Sequence, residues 1–188
     1  MAARAGTKAS GTRARLLDAA ERHLLANGAD TLTLEAVAAA AEASKGGLLY
    51  HFPTKDALVE ALVQRAVDGV DAVLATAAES QEPGAFARAF LDEGMPTGPG
   101  RGPVVQPDRL TAALVGAATI DPGFLEPLRN AYLRWQARLE HDGIDPVTAT
   151  LVRLAVDGWW MASVLDLPPV SRELYVALRE RLDAMTRP

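Results

Sequence analysis

The sequence predicts an all-α protein. Three observations carry this. Apolar residues recur at i, i+3 and i+4 along most of the chain. Ser, Thr and Asp stand where helices need N-caps, and Gly or Pro stands where helices stop. No stretch reads convincingly as a strand, and there is no internal repeat or sustained heptad run. With 188 residues, 49% of them hydrophobic, the chain is long enough to bury a core, either as one mid-sized domain or as a small module joined to a larger one.

Each element follows from local chemistry. Residues 1–11 are small, polar and basic, and read as a disordered arm. A first helix starts at Thr12, with Leu16, Ala20 and Leu24 on one face and Asn27-Gly28 as its stop. Thr33 caps a short second helix, about Leu34 to Ala41. Ser44 caps a third, Lys45 to His51, which Phe52-Pro53 ends. Thr54 caps a fourth, from Lys55-Asp56 to about Ala78, with a stripe through Leu58, Leu62, Ala66, Gly69 and Val73. Phe86 and Phe90 mark a short fifth helix. Residues 94–107 are rich in Pro and Gly and read as a loop. Asp108 to Ile120 is a sixth helix. Asp121-Pro122 opens a seventh, with Leu125, Leu128, Tyr132, Trp135 and Leu139 on one face and Asp142-Gly143 at its end. Asp145-Pro146 opens an eighth that reaches Leu165. Pro168-Pro169 breaks the chain, and Ser171 caps a ninth with Leu174, Leu178, Leu182 and Met185 inward. The expected organisation is the arm, a helix-turn-helix module over residues 12–55, and a helical body over residues 56–188.

Composition excludes several classes. There is no cysteine, so disulfides and thiolate metal sites are ruled out. The three histidines stand far apart, and neither metal nor cofactor is expected. The longest apolar run, Leu110 to Ile120, is too short for a bilayer, which takes about 20 residues. Residues 1–15 have no apolar stretch behind them like that of a secretory signal, so a cytoplasmic, membrane-free protein is expected. Net charge is −5, which argues against a diffuse polycation. The average hides an asymmetry. Residues 1–55 hold seven Lys/Arg against five Asp/Glu, and residues 56–188 hold twelve against nineteen. Of only three lysines, Lys45 and Lys55 fall in one short segment.

That segment carries the function. Two helices of about seven residues are too short to be stable alone, so they must pack on a neighbour. A short helix, a turn around Glu42-Ala43 and a second short helix give a helix-turn-helix, whose second helix enters the major groove N-terminus first. Lys45 then starts the recognition helix, within reach of a phosphate or a guanine edge. Gly46 and Gly47 each cost about 1 kcal/mol in a helix relative to Ala, so close approach of the backbone to DNA is a reason for them. Ser44, Lys45 and DNA shape share the specificity. Tyr50 and His51 come one turn later, and Thr33 and Lys55 begin the neighbouring helices, where free N–H groups favour phosphates.

The stretch TLTLEAVAAAAEASKGGLLYHFPTKDALVEALV resembles the DNA-binding module of the TetR family of bacterial regulators, most closely over Ser44 to Lys55. The resemblance covers residues 12 to 62. It implies a homodimer reading a near-palindromic DNA operator, and a helical domain that binds a small-molecule effector. It also implies backbone contacts at Thr33, Ser44, Lys45, Tyr50, His51 and Lys55, and base contacts around Ala43 to Gly47. Relatives often carry Thr or Ala where this chain has Gly46 or Gly47, so no base readout is carried onto a glycine side chain.

In the body, apolar and aromatic residues are core first, and the same residues are candidates to line an effector pocket: Phe86, Phe90, Leu114, Leu128, Tyr132, Trp135 and Trp159. Arg109 and Asp157 are polar candidates. The eighth helix is apolar on two faces, one with Leu151, Leu154, Gly158, Met161 and Leu165, the other with Val152, Val156, Trp159 and Ser163. The first of these, with Leu174, Leu178 and Leu182, is the candidate dimer face. No phosphate-binding loop, HExxH or GxSxG motif is present, so a regulator, more readily a repressor, is expected over a helical enzyme or an interaction module without operator binding.

Overall fold

Helix boundaries in this chain are set by side chains that satisfy free backbone N–H groups. In the computed structural model, which describes residues 2–97 and 122–188, Thr33, Ser44 and Ser171 each accept a hydrogen bond from an N–H of the first helical turn, and Asp145 does the same ahead of Pro146. Eight α-helices result among the described residues: α1 (Ala2–Asn27), α2 (Leu34–Ala40), α3 (Lys45–His51), α4 (Lys55–Glu79), α5 (Ala85–Gly94), α6 (Glu126–Glu140), α7 (Pro146–Val164) and α8 (Arg172–Met185). Two 3-10 turns, Ala29–Thr31 and Pro122–Leu125, precede α2 and α6. No strand occurs among the described residues, so the all-α expectation holds. The helix expected over Asp108 to Ile120, with Leu114 and Arg109, lies outside them.

Two expectations are corrected. Residues 2–11, expected in a disordered arm, belong to α1, which begins at Ala2, where alanine, the strongest helix former, is frequent. In α8 the inward residues are Tyr175 and Arg179, while Leu174 and Leu178 are 50% and 40% exposed. Hydropathy misled there because Arg179 is satisfied inside: its Nε donates to the Met95 carbonyl at 3.1 Å, and its guanidinium pairs with Asp92 and Asp183.

Described residues divide into two compact units, 2–66 with 122–128, and 67–97 with 129–188. In the first unit, Leu16, Ala20 and Leu24 of α1, Val37 of α2, Leu48 of α3 and Leu58 and Leu62 of α4 form one buried cluster, against which Phe124 and Leu128 pack. α1 ends where Gly28 takes φ 82° and its N–H reaches the Leu24 carbonyl at 2.9 Å. In the second unit, α5 packs on α7, and α8 touches both. Its core includes Phe86, Phe90, Leu91, Trp135, Leu139, Val152 and Val156. Gly94 marks the close approach: a Cβ there would lie 2.1 Å from Val156 Cγ1.

Candidate nucleic-acid interface

The seven-residue helices α2 and α3 are held by what they bury. Val37 and Ala38 from α2 and Leu48 from α3 join the α1 core, and the Arg15 guanidinium donates to the Ala41 carbonyl at 3.4 Å. Phe52 is 2% exposed, a core residue, with the Arg13 guanidinium 5.3 Å from its ring. The turn between the helices passes through Glu42 at φ 50°, a left-handed position that Gly usually fills. Nothing in the local sequence signals this, because Glu is not a turn residue.

What α3 leaves outside is the candidate surface. Ser44, Lys45, Gly46 and Tyr50 are exposed, Tyr50 to 81%, and the Tyr50 ring meets His51 edge-on at 5.1 Å. Thr33 and Lys55, at the starts of α2 and α4, are exposed too, while Ala43, Gly47 and His51 are half-buried. An exposed aromatic of this size gains nothing from water and is available to a partner. The hydroxyls of Thr33 and Ser44 are engaged as caps, accepting from Ala36 N–H at 3.1 Å and Gly47 N–H at 3.0 Å. The glycines differ. A Cβ on Gly47 would lie 3.1 Å from Ser44 Oγ, whereas a Cβ on Gly46 would meet nothing within 4 Å. Nothing among the described residues therefore asks for glycine at position 46.

One charged partner was not legible in the sequence. Glu35 in the first turn of α2 reaches Lys45 Nζ at 2.7 Å. The ammonium and the helix backbone hold the Glu35 carboxyl below its ordinary range. The pair stands ten positions apart in sequence, so only the packing of α2 on α3 brings it together. The other histidines serve structure: His23 bonds Thr31 and His141 bonds the Ala137 carbonyl. Among the described residues no group of three His, Cys, Asp or Glu is placed to hold a metal, and no helix is long and apolar enough to cross a membrane.

In the second unit the pocket candidates separate. Phe86, Phe90 and Trp135 are at most 6% exposed and fill the core. Tyr132 and Trp159 are half-buried, and Leu128 packs instead on the core of the first unit. Phe90, Trp135 and Tyr132 form a chain of ring contacts at 5.9 and 5.2 Å, and Trp159 meets Tyr175 at 4.9 Å. The Tyr132 hydroxyl donates to Asp157 at 2.9 Å, and Arg153 donates to the other carboxylate oxygen at 2.7 Å. Burial raises the Asp157 carboxyl above its ordinary range against the pull of Tyr132 and Arg153. Burial, then the Asp157 charge, pushes the Tyr132 hydroxyl up as well. Trp159 Nε1 and Arg153 Nε are buried with no hydrogen-bond partner among the described residues. The candidate dimer residues Leu151, Leu154 and Met161 of α7, Leu165 just after it, and Leu174 and Leu178 of α8 are all at least 40% exposed. Gly158 is exposed with open space above it, and Leu182 is half-buried.

Comparison with known proteins agrees with this geometry. Residues 16–62 match the model for bacterial regulatory proteins of the tetR family, and residues 84–187 match the tetracyclin repressor-like C-terminal domain. No curated protein sequence matches the chain. Among solved structures, a member of the TetR family from Streptomyces coelicolor A3 (SCO1917) is 25% identical, with 94% of this chain and 99% of that one covered at a TM-score of 0.66. The multidrug binding protein EbrR complexed with malachite green is 27% identical over 94% of this chain and 98% of its own, at 0.62. A TetR transcription regulator from Haloarcula marismortui ATCC 43049 shares the fold at a TM-score of 0.68 with 21% identity, over 94% and 97% of the two chains.

Proposed function

Because the chain belongs to the TetR family of DNA-binding transcriptional regulators, we propose that it is a repressor released from a palindromic operator by a small, largely apolar effector. Members of this family regulate transcription by binding DNA and are not enzymes, so the enzyme alternative falls away. The observation that carries the contact assignment is the exposed edge of α3, where Lys45 opens the helix and Tyr50 stands 81% exposed one turn later.

The reading sorts residues by task. Thr33, Tyr50, His51 and Lys55 position the protein on phosphates, and Ala43, Ser44, Lys45, Gly46 and Gly47 face the bases. Because the Ser44 hydroxyl already accepts from Gly47 N–H, its part is to donate its own proton while it caps. Residues 12–55 act as the DNA-binding domain and residues 56–188 as the effector and dimerisation domain of a cytoplasmic regulator. Two copies pair through the exposed leucines of α7 and α8, which sets two recognition helices about 34–36 Å apart, one turn of DNA. The effector sits in the second unit near Tyr132 and Trp159, where the buried Trp159 N–H offers a donor to a ligand acceptor. EbrR, crystallised with malachite green and with ethidium, supports an aromatic ligand. The effector lowers operator affinity only by its preference for one state of the dimer.

The test is direct. Lys45→Ala and Tyr50→Ala should each weaken binding to duplexes selected from a random library, at an unchanged thermal midpoint. Unchanged affinity in both variants removes the contact assignment, and a parent protein that selects no sequence leaves an interaction module as the better reading.

A further inference from the structure

Lys45 is the one lysine on the exposed edge of α3, and in the free protein its ammonium is already engaged. Lys45 Nζ and Glu35 Oε1 are 2.7 Å apart, bridging the two helices of the helix-turn-helix. Both side chains are more than 60% exposed, and an ion pair so exposed contributes little to stability. Its effect falls instead on what Lys45 can bind. A cation at the N-terminus of α3 also opposes the helix dipole, and α3 has no acid of its own in that turn.

We propose that Glu35 is a positioning residue for sequence discrimination, holding Lys45 so that it is free to meet a guanine edge but penalised for meeting a phosphate. The inference rests on the reading of Lys45 as a DNA contact. An ammonium carries three donors, so Lys45 can keep its bond to Glu35 and still donate to guanine O6 and N7, which are neutral acceptors. A phosphate brings a negative charge beside the Glu35 carboxylate, and the two repel. The penalty therefore falls on non-specific binding, which is almost wholly phosphate contact and counterion release.

The experiment uses the full chain and two probes: a duplex enriched from a random library, and a scrambled duplex of the same length and composition. Glu35→Gln should tighten the scrambled duplex about fivefold at low salt and steepen its log–log salt slope by about 0.9, the signature of one more phosphate neutralised. The enriched duplex should tighten by less than about twofold, so the discrimination ratio falls. In a Lys45→Gln background the same substitution should leave both affinities and slopes unchanged. Equal tightening on both probes overturns the proposal, and so does an unchanged slope, with or without a lower thermal midpoint, which would mark Glu35 as a helix-terminal acid only. If Lys45→Ala leaves affinity intact, the reading of Lys45 as a DNA contact falls, and the role of Glu35 with it. If that variant weakens binding while Glu35→Gln is silent, only the role of Glu35 falls.

Discussion

At the scale of single residues, Gly46 separates stability from function. Its side has open space, so Gly46→Ala meets no obstacle among the described residues, and removing a helical glycine stabilises by about 1 kcal/mol. If the α3 backbone lies close to DNA, the added methyl keeps it away. Gly46→Ala should therefore raise the denaturation midpoint and weaken DNA binding in the same protein, checked by urea melts and a binding titration. A rise in both would mean that the backbone does not approach DNA at that position. Tyr50 and Phe52 make the same point in opposite directions. Both are aromatic and two positions apart, yet one is 81% and the other 2% exposed. The helix stops between them, and that change of backbone turns Phe52 into the core.

Among the elements, α5 depends on a cap supplied from elsewhere in the chain. Its own N-cap residue, Gly84, has no side chain to offer. Asp142, which follows α6, accepts instead from Phe86 N–H at 3.1 Å and Ala87 N–H at 2.8 Å, and Arg138 holds the same carboxylate at 3.2 Å. The Asp142 side chain is wholly buried. Asp142→Ala leaves those two buried N–H groups without their acceptor and takes the carboxylate away from Arg138, which keeps its backbone carbonyl partners, so it should destabilise the protein by roughly 2–3 kcal/mol. The midpoint of chemical denaturation measures this, and a loss below about 0.5 kcal/mol, the scale of a surface change, would show the cap to be replaceable. The Asp142-Gly143 pair was legible as a helix stop. Its service to α5, more than fifty residues earlier, was not, because a capping bond across that distance leaves no local pattern.

For the whole molecule, the question is what covers the leucines of α7 and α8. Leu151, Leu154 and Leu165 are each at least half exposed, and Leu174 joins them from α8. An apolar stripe of that extent is more than the scattered exposure of an ordinary surface. Val152 and Val156, on the opposite side of α7, already serve the core, so the stripe is available to a second copy. On the proposed pairing of two copies, Leu154→Glu should leave the fold intact, since the side chain is 52% exposed, and shift sedimentation from dimer to monomer at micromolar concentration. The same variant should lose operator affinity, because two half-sites are then no longer bound together. A Leu154→Glu protein that remains a dimer would move the interface elsewhere.

Local chemistry alone determined the all-α class, the caps at Thr33, Ser44, Asp145 and Ser171, and the bounds of α3 to the residue. Those features depend on neighbours within one or two turns, which sequence spacing records directly. The two apolar faces of α7 were legible for the same reason. Tertiary structure decided which charges meet and which apolar residues stay outside. Glu35 reaches Lys45, Asp142 caps α5, and Arg179 displaces Leu174 and Leu178 from the inner side of α8. Each of these joins separate elements, and hydropathy cannot foresee that an arginine with carbonyl and carboxylate partners will be buried while a leucine is left outside.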